Sequence, residues 1–197
     1  MLRKEEPFSG TPETKWLSDD KKPDREMQLL QDFQYTDPDN KNWSAKAGDI
    51  IDGASIPRFL WTLVGSPYTR DYRRASIVHD IAVRGLGNTH ERKLVDKMFY
   101  HACRDGGCSV FESWMLYLGV RIGSWLSEED KVNYDEFECL SRDPGKLDNI
   151  SKGMKAKFNE MVEKLRLYVD ETSFDVIDRE IDKMRDELVE SGTLRAR

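Results

Sequence analysis

Three side chains have types and spacing that could do chemistry: His79, Asp80 and Asp96. The first two sit side by side within Ala75-Ser76-Ile77-Val78-His79-Asp80-Ile81-Ala82, an apolar stretch that reads as a helix. At about 100° per residue, Ala75, Val78 and Ala82 define its core face. His79 then falls at the edge of that face beside Tyr72 and Val83, and Asp80 points toward Ser76 and Arg84. A second helix follows the Gly85 to Thr89 turn and carries Asp96 beside Phe99 and Cys103. Antiparallel packing would bring Asp96 level with His79. A histidine oriented by a carboxylate, with its other ring nitrogen free, is prepared to act as a general base on water. His79 and Asp96 are therefore the candidate catalytic pair. Asp80 offers oxygen to a hard cation, and calcium would also draw on backbone carbonyls. The loop from Gly65 to Tyr68 is placed to supply these, and Asp52 joins the set if its strand end reaches the same crevice. The spacing equally suits a structural arrangement, a hydrogen-bonded core histidine with Asp80 paired to Arg84 and Asp96 to Arg92. His90 and His101 lack a carboxylate at a telling spacing and read as surface residues.

The elements that must position these groups begin with a segment, Phe8 to Ile51, that lacks helical periodicity. It is broken by Pro12, Pro23 and the turn signal Asp37-Pro38-Asp39-Asn40. Strands are expected near Lys15 to Ser18, Met27 to Tyr35 and Asn42 to Lys46, forming a small antiparallel sheet. Pro57 suits the first turn of an apolar helix running to about Val64. Three helices follow: about Arg70 to Arg84; from an Asn88 or Thr89 cap to Gly106-Gly107; and from the capping-box sequence Ser109-Val110-Phe111-Glu112 to about Leu126. The third is apolar nearly all round and should be central to a core.

Beyond Ser127 the texture becomes polar, with room for a short helix to Leu140 before Asp143-Pro144-Gly145. Met154, Phe158, Met161, Leu165 and Tyr168 then recur at helical spacing. After Thr172-Ser173, so do Phe174, Ile177, Ile181, Met184 and Leu188. This heptad-like seam predicts an antiparallel helical hairpin ending at Gly192. The expected fold is α+β: a small N-terminal antiparallel sheet packed on a three-helix core, then the hairpin. The divisions are residues 1–127 for the core domain, 128–150 for a polar linker and 151–192 for the hairpin.

Of the 197 residues, 38% are hydrophobic and 35% charged, and the formal net charge of -6 opposes general binding to nucleic acid or an anionic membrane. Arg70, Arg73 and Arg74 form a local basic patch that reads as a solvated helix face. The three cysteines have neither zinc-knuckle nor CxxC spacing and imply no disulfide framework. No secretory leader is legible at Met1 to Glu6, and no apolar run reaches the ~20 residues of a membrane span, so a cytoplasmic protein is expected. The hairpin is the expected surface for an unknown protein partner or for self-association.

Two resemblances rest on these motifs. Phe8-Ser9-Gly10-Thr11-Pro12, Gly48 to Pro57, Arg74 to Asp80 and Val95-Asp96-Lys97-Met98-Phe99 together resemble a phage and prophage family of unknown function, over about residues 8–126. That resemblance implies an infected or lysogenic bacterial host, or a virion, as the setting. The order of a glycine loop, an Ala-x-x-x-His-Asp helix and an Asp-x-x-Phe helix is similar to the secretory and parvoviral phospholipase A class. It implies that His79 activates water, Asp80 binds Ca²⁺ and Asp96 holds the histidine. Val95 stands where that class has alanine, and Gly65 is the one glycine of the expected calcium loop. Two functions follow as expectations: a metal-dependent hydrolase acting on esters, or a non-catalytic phage accessory protein that works through the hairpin.

Overall fold

Alternation of buried and half-buried residues in Met27-Gln28-Leu29 and Phe33-Gln34-Tyr35 marks two strands with one face turned inward. In the computed structural model, which describes residues 6–17, 26–52, 56, 60, 71–86, 89–130, 144–168 and 173–194, they are β2 (Met27–Leu29) and β3 (Phe33–Thr36). They belong to different sheets. β2 lies between β1 (Thr14–Trp16) and β5 (Ile50–Ile51), antiparallel to both, whereas β3 pairs antiparallel with β4 (Asn42–Ala45). The continuous strand expected from Met27 to Tyr35 is thus corrected to two. The break falls at Asp32, whose carboxylate accepts from the Ala47 amide and from Lys46 Nζ, both at 2.9 Å. Those bonds fix the turn between β4 and β5 against the break. The β3–β4 turn follows the sequence signal. Asp37 Oδ1 accepts from the amides of Asp39 and Lys41, and Asn40 takes a φ of 61°.

Compact clustering divides the chain into two units, residues 1–55 with 66–109, and residues 56–65 with 110–197. The first contains both sheets, α1 (Arg73–Arg84) and α2 (Thr89–Gly106). The helices run antiparallel: His79 meets Asp96, and the start of α1 lies beside the end of α2. Gly106 allows that approach, since a Cβ there would lie 2.5 Å from the Asp71 carbonyl oxygen. α1 packs against both sheets, and Ala75 to Asp80 are all buried, so its central part is enclosed on every side. His79, expected at the edge of the core face, is inside it.

The second unit holds α3 (Val110–Asp130), α4 (Pro144–Leu165) and α5 (Phe174–Glu190). α4 and α5 form the expected antiparallel hairpin, with Lys157 Nζ 2.7 Å from Glu187 and Gly153 beside Thr193. Gly192 takes a φ of +71°, and the amides of Thr193 and Leu194 return to the Leu188 carbonyl, closing α5. The polar linker expected over 128–150 is corrected at both ends, because α3 continues to Asp130 and α4 opens at Pro144, where a missing amide costs nothing. The short helix expected before Leu140 lies outside the described residues. So does the helix expected over 56–64, apart from Ile56 and Leu60, both buried.

The fold is α+β as expected, and within it α3 groups with the hairpin while α1 and α2 group with the sheets. Trp114 stacks on Phe174 at 5.1 Å, Tyr117 meets Phe174 edge-on, and Tyr117 donates to Asp178 at 2.6 Å. Met154, Phe158, Met161, Leu165, Ile177, Ile181, Met184 and Leu188 are all buried within this unit. The seam expected from the heptad-like spacing is therefore filled within this unit. Each such side chain contributes about 1.5–3 kcal/mol on burial. Deleting residues 144–197 should accordingly uncover Trp114 and Tyr117 and abolish a cooperative thermal transition of α3. A truncated chain that keeps a single sharp transition, followed by tryptophan fluorescence, would show the hairpin to be dispensable.

Candidate functional site

The first half of α1 is buried because small and apolar residues surround His79, and α2 supplies the facing carboxylate at the antiparallel register. His79 Nε2 lies 2.8 Å from Asp96 Oδ1, and both side chains have 0% exposure. Phe99, one helical turn beyond Asp96, lies against the imidazole with ring centroids 4.8 Å apart. On the other side Arg92, four residues before Asp96, brings Nε to 3.3 Å of the same Oδ1. Burial pushes the His79 pKa below its usual value, opposed by the hydrogen bond and charge of Asp96 and helped by the charge of Arg92. The imidazole is therefore neutral at pH 7, with its proton on Nε2 facing Asp96 and a lone pair on Nδ1. Nδ1 is buried and has no hydrogen-bond partner among the described residues.

Asp80 belongs to a separate cluster, beside the dyad in sequence and directed toward β5. Its Oδ2 accepts from the Asp52 amide at 2.8 Å and from Arg84 Nη2 at 3.0 Å. The same Nη2 lies 2.9 Å from Asp52 Oδ1, and Arg84 Nη1 donates to the Ile50 carbonyl. Burial, and then the Asp52 carboxylate, push Asp80 up from 3.8 to about 8, against the pull of Arg84.

The sequence reading thus brings together His79 with Asp96, and Asp80 with Asp52. Gly65 lies outside the described residues. Calcium takes six to eight oxygen ligands, and the loop expected to supply its backbone carbonyls lies outside the described residues. Asp52, Asp80 and Ile50 converge instead on one guanidinium, and the described residues contain no group of three or more His, Cys, Asp or Glu side chains able to hold a metal. Arg84 and Arg92 were legible as ion-pair partners through their four-residue spacing, but the Ile50 carbonyl was not, because nothing in sequence joins it to Arg84. His101, expected at the surface, is half-buried beside Lys97, Met98 and Trp43, and burial lowers its pKa.

What these features define is an α+β unit with a sealed histidine–carboxylate pair between antiparallel helices. Residues 27–120, which include both clusters, match the protein family of unknown function DUF1353. The chain is 30% identical over 135 residues, 67% of its length, to the uncharacterized protein y4jT of Sinorhizobium fredii. It is 41% identical over 96 residues, 47% of its length, to the uncharacterized protein y4iH of the same organism. It spans 38% of the length of each. No solved structure matches it. Among the described residues no helix is long and apolar enough to cross a membrane.

Two measurements test the Asp80 cluster. Native Asp80 holds its proton up to about 8 while an unfolded aspartate releases it near 3.8. Between those values the native state binds more protons, so this group's contribution to stability falls as pH rises. Asp80→Asn cannot titrate, and its melting temperature relative to wild type should increase steadily from pH 5 to pH 8.5. A difference independent of pH would show that Asp80 is ionised throughout. Calcium titration of the wild-type protein should give no saturable heat, whereas a saturable signal lost in Asp80→Asn would restore the metal assignment.

Proposed function

We propose that this protein is an ester hydrolase in which His79 is the general base and Asp96 its orienting carboxylate. One observation carries the reading: Nε2 is held by Asp96 while Nδ1 is buried without a partner. Leaving a buried polar atom unmatched costs about 1–3 kcal/mol, and a purely structural histidine gains nothing from it. In the reaction Nδ1 takes a proton from water as the water oxygen bonds to the ester carbonyl carbon. Asp96 stabilises the imidazolium that forms. The carbon–oxygen bond to the leaving group then breaks, and Nδ1 returns the proton to the departing alkoxide. Arg92 holds Asp96 in place, and no step passes through a metal. Water and ester reach Nδ1 only when the surrounding packing opens, since the imidazole is fully buried. A phage or prophage setting is the origin we infer from the sequence motifs.

That same burial favours a second reading, in which the pair is a structural lock of a non-catalytic phage accessory protein. The variants His79→Gln and Asp96→Asn separate the two. A catalytic pair predicts wild-type turnover of at least one ester in a broad screen, falling by ~10²-fold or more in either variant while the melting temperature changes little. A structural pair predicts destabilisation of about 1–3 kcal/mol in urea and no ester turned over by the wild type. The absence of wild-type turnover would end the hydrolase reading.

A further inference from the structure

Arg73 and Arg74 open α1, Arg73 exposed as expected of a solvated helix face and Arg74 half-buried. Both line a cavity of about 250 Å³ with Thr11, Pro12, Asp71 and Gly106, room for roughly eight waters at their liquid volume. Arg74 is half-buried, and its guanidinium lies over the Phe8 ring with Cζ 4.4 Å from the centroid. Phe8 is buried and bridges to β3, so the platform beneath the guanidinium is fixed. Stacking occupies the face of a guanidinium and leaves the N–H groups around its edge free. Among the described residues Arg74 has no hydrogen-bond acceptor and no carboxylate partner. Arg73 contributes one bond, Nη2 to Thr14 Oγ1 at 3.2 Å, which anchors it to β1 and leaves its other donors unassigned. The first turn of α1 contains no acidic residue.

These arginines differ from the others near the candidate site. Arg84 and Arg92 each have a carboxylate within 3.3 Å, whereas among the described residues the cavity pair has none at bonding distance. In a chain of net charge -6, two adjacent cationic groups, one seated on the Phe8 ring and one tied to Thr14, that outnumber the acids beside them among the described residues are a place where an anion is favoured. Among the described residues Asp71 is the one acid on the wall, which reduces their lining charge to a net of one and favours a singly charged group. We propose that Arg73 and Arg74 bind an oxoanion of carboxylate or phosphate type in this cavity, a site independent of the His79–Asp96 pair.

The full-length protein labelled with ¹⁵N can be titrated separately with acetate and inorganic phosphate at constant ionic strength, following the backbone amides and arginine Nε–H signals. Saturable shifts at Thr11, Arg73, Arg74 and Gly106 are expected, with the tighter of the two probes identifying the carboxylate or phosphate source. Arg74→Gln should weaken binding by ~10-fold or more, and Arg74→Lys should not restore it, because lysine supplies charge without the planar fork. Lys183→Gln, an equal charge change at an exposed position of α5, should leave the affinity unaltered. If Arg74→Gln does not fold by circular dichroism, Arg73→Gln takes its place with the same expected loss. Shifts that fail to saturate with either probe, or equal affinity in the wild type and the glutamine variant, would overturn the proposal.

Discussion

Placing His79, Asp80 and Asp96 out of contact with water is the constraint on which the N-terminal unit depends. An isolated charge in such a place is prohibitive, so each group must be met by a partner or lose its charge. The molecule uses both solutions. Asp96 is flanked by an imidazole and a guanidinium, His79 is neutral, and Asp80 is held between a backbone amide and Arg84 while its affinity for a proton rises. The His79–Asp96 arrangement does not survive a shift of α2 by one residue, because Asp96 and Phe99 would both leave the imidazole. The polar cluster thereby fixes the register of the helix pair that apolar packing alone would leave adjustable.

The two clusters divide the work differently from a metal-centred site. A divalent ion gathers oxygens from several elements at one point, and here a guanidinium does so, joining α1 to β5 through Ile50, Asp52 and Asp80. An arginine is tethered to the chain and always charged, so this junction is permanent and needs no ion from solution. The Nδ1 atom of His79 is the counterpart, a buried group with capacity left over. Arg92 Nη2 in the same cluster is likewise buried without a partner among the described residues, and it is the position of Nδ1 opposite the Asp96-held nitrogen that gives the dyad its functional interest.

The second unit rests on different physics. Its hairpin seam is apolar and regular, and α3, apolar nearly all round, supplies the large rings that meet Phe174. Ion pairs decorate the rim: Lys157 with Glu187 bridges the two hairpin helices at 2.7 Å, with both side chains partly exposed. Such a pair contributes up to about 1 kcal/mol, far less than the seam beneath it. A seam filled in this way is a stability element.

Local rules settled much of this protein in advance. Helical spacing placed α2 and the hairpin, turn chemistry placed the β3–β4 connection, and four-residue spacings announced the Asp80–Arg84 and Asp96–Arg92 pairs. The His79–Asp96 meeting was legible because two adjacent helices with a short connection have few ways to pack, and an antiparallel arrangement brings these two positions level. Periodicity reports which face is buried but not what buries it. It therefore could not tell that α3 clusters with the hairpin, that β2 and β3 part at Asp32, or that His79 is enclosed on every side. Nor could it join Ile50 to Arg84, or seat Arg74 on the ring of Phe8. Those are contacts between residues distant in the chain, and the tertiary structure alone decides them, because nothing in a local pattern records which surfaces will be brought face to face.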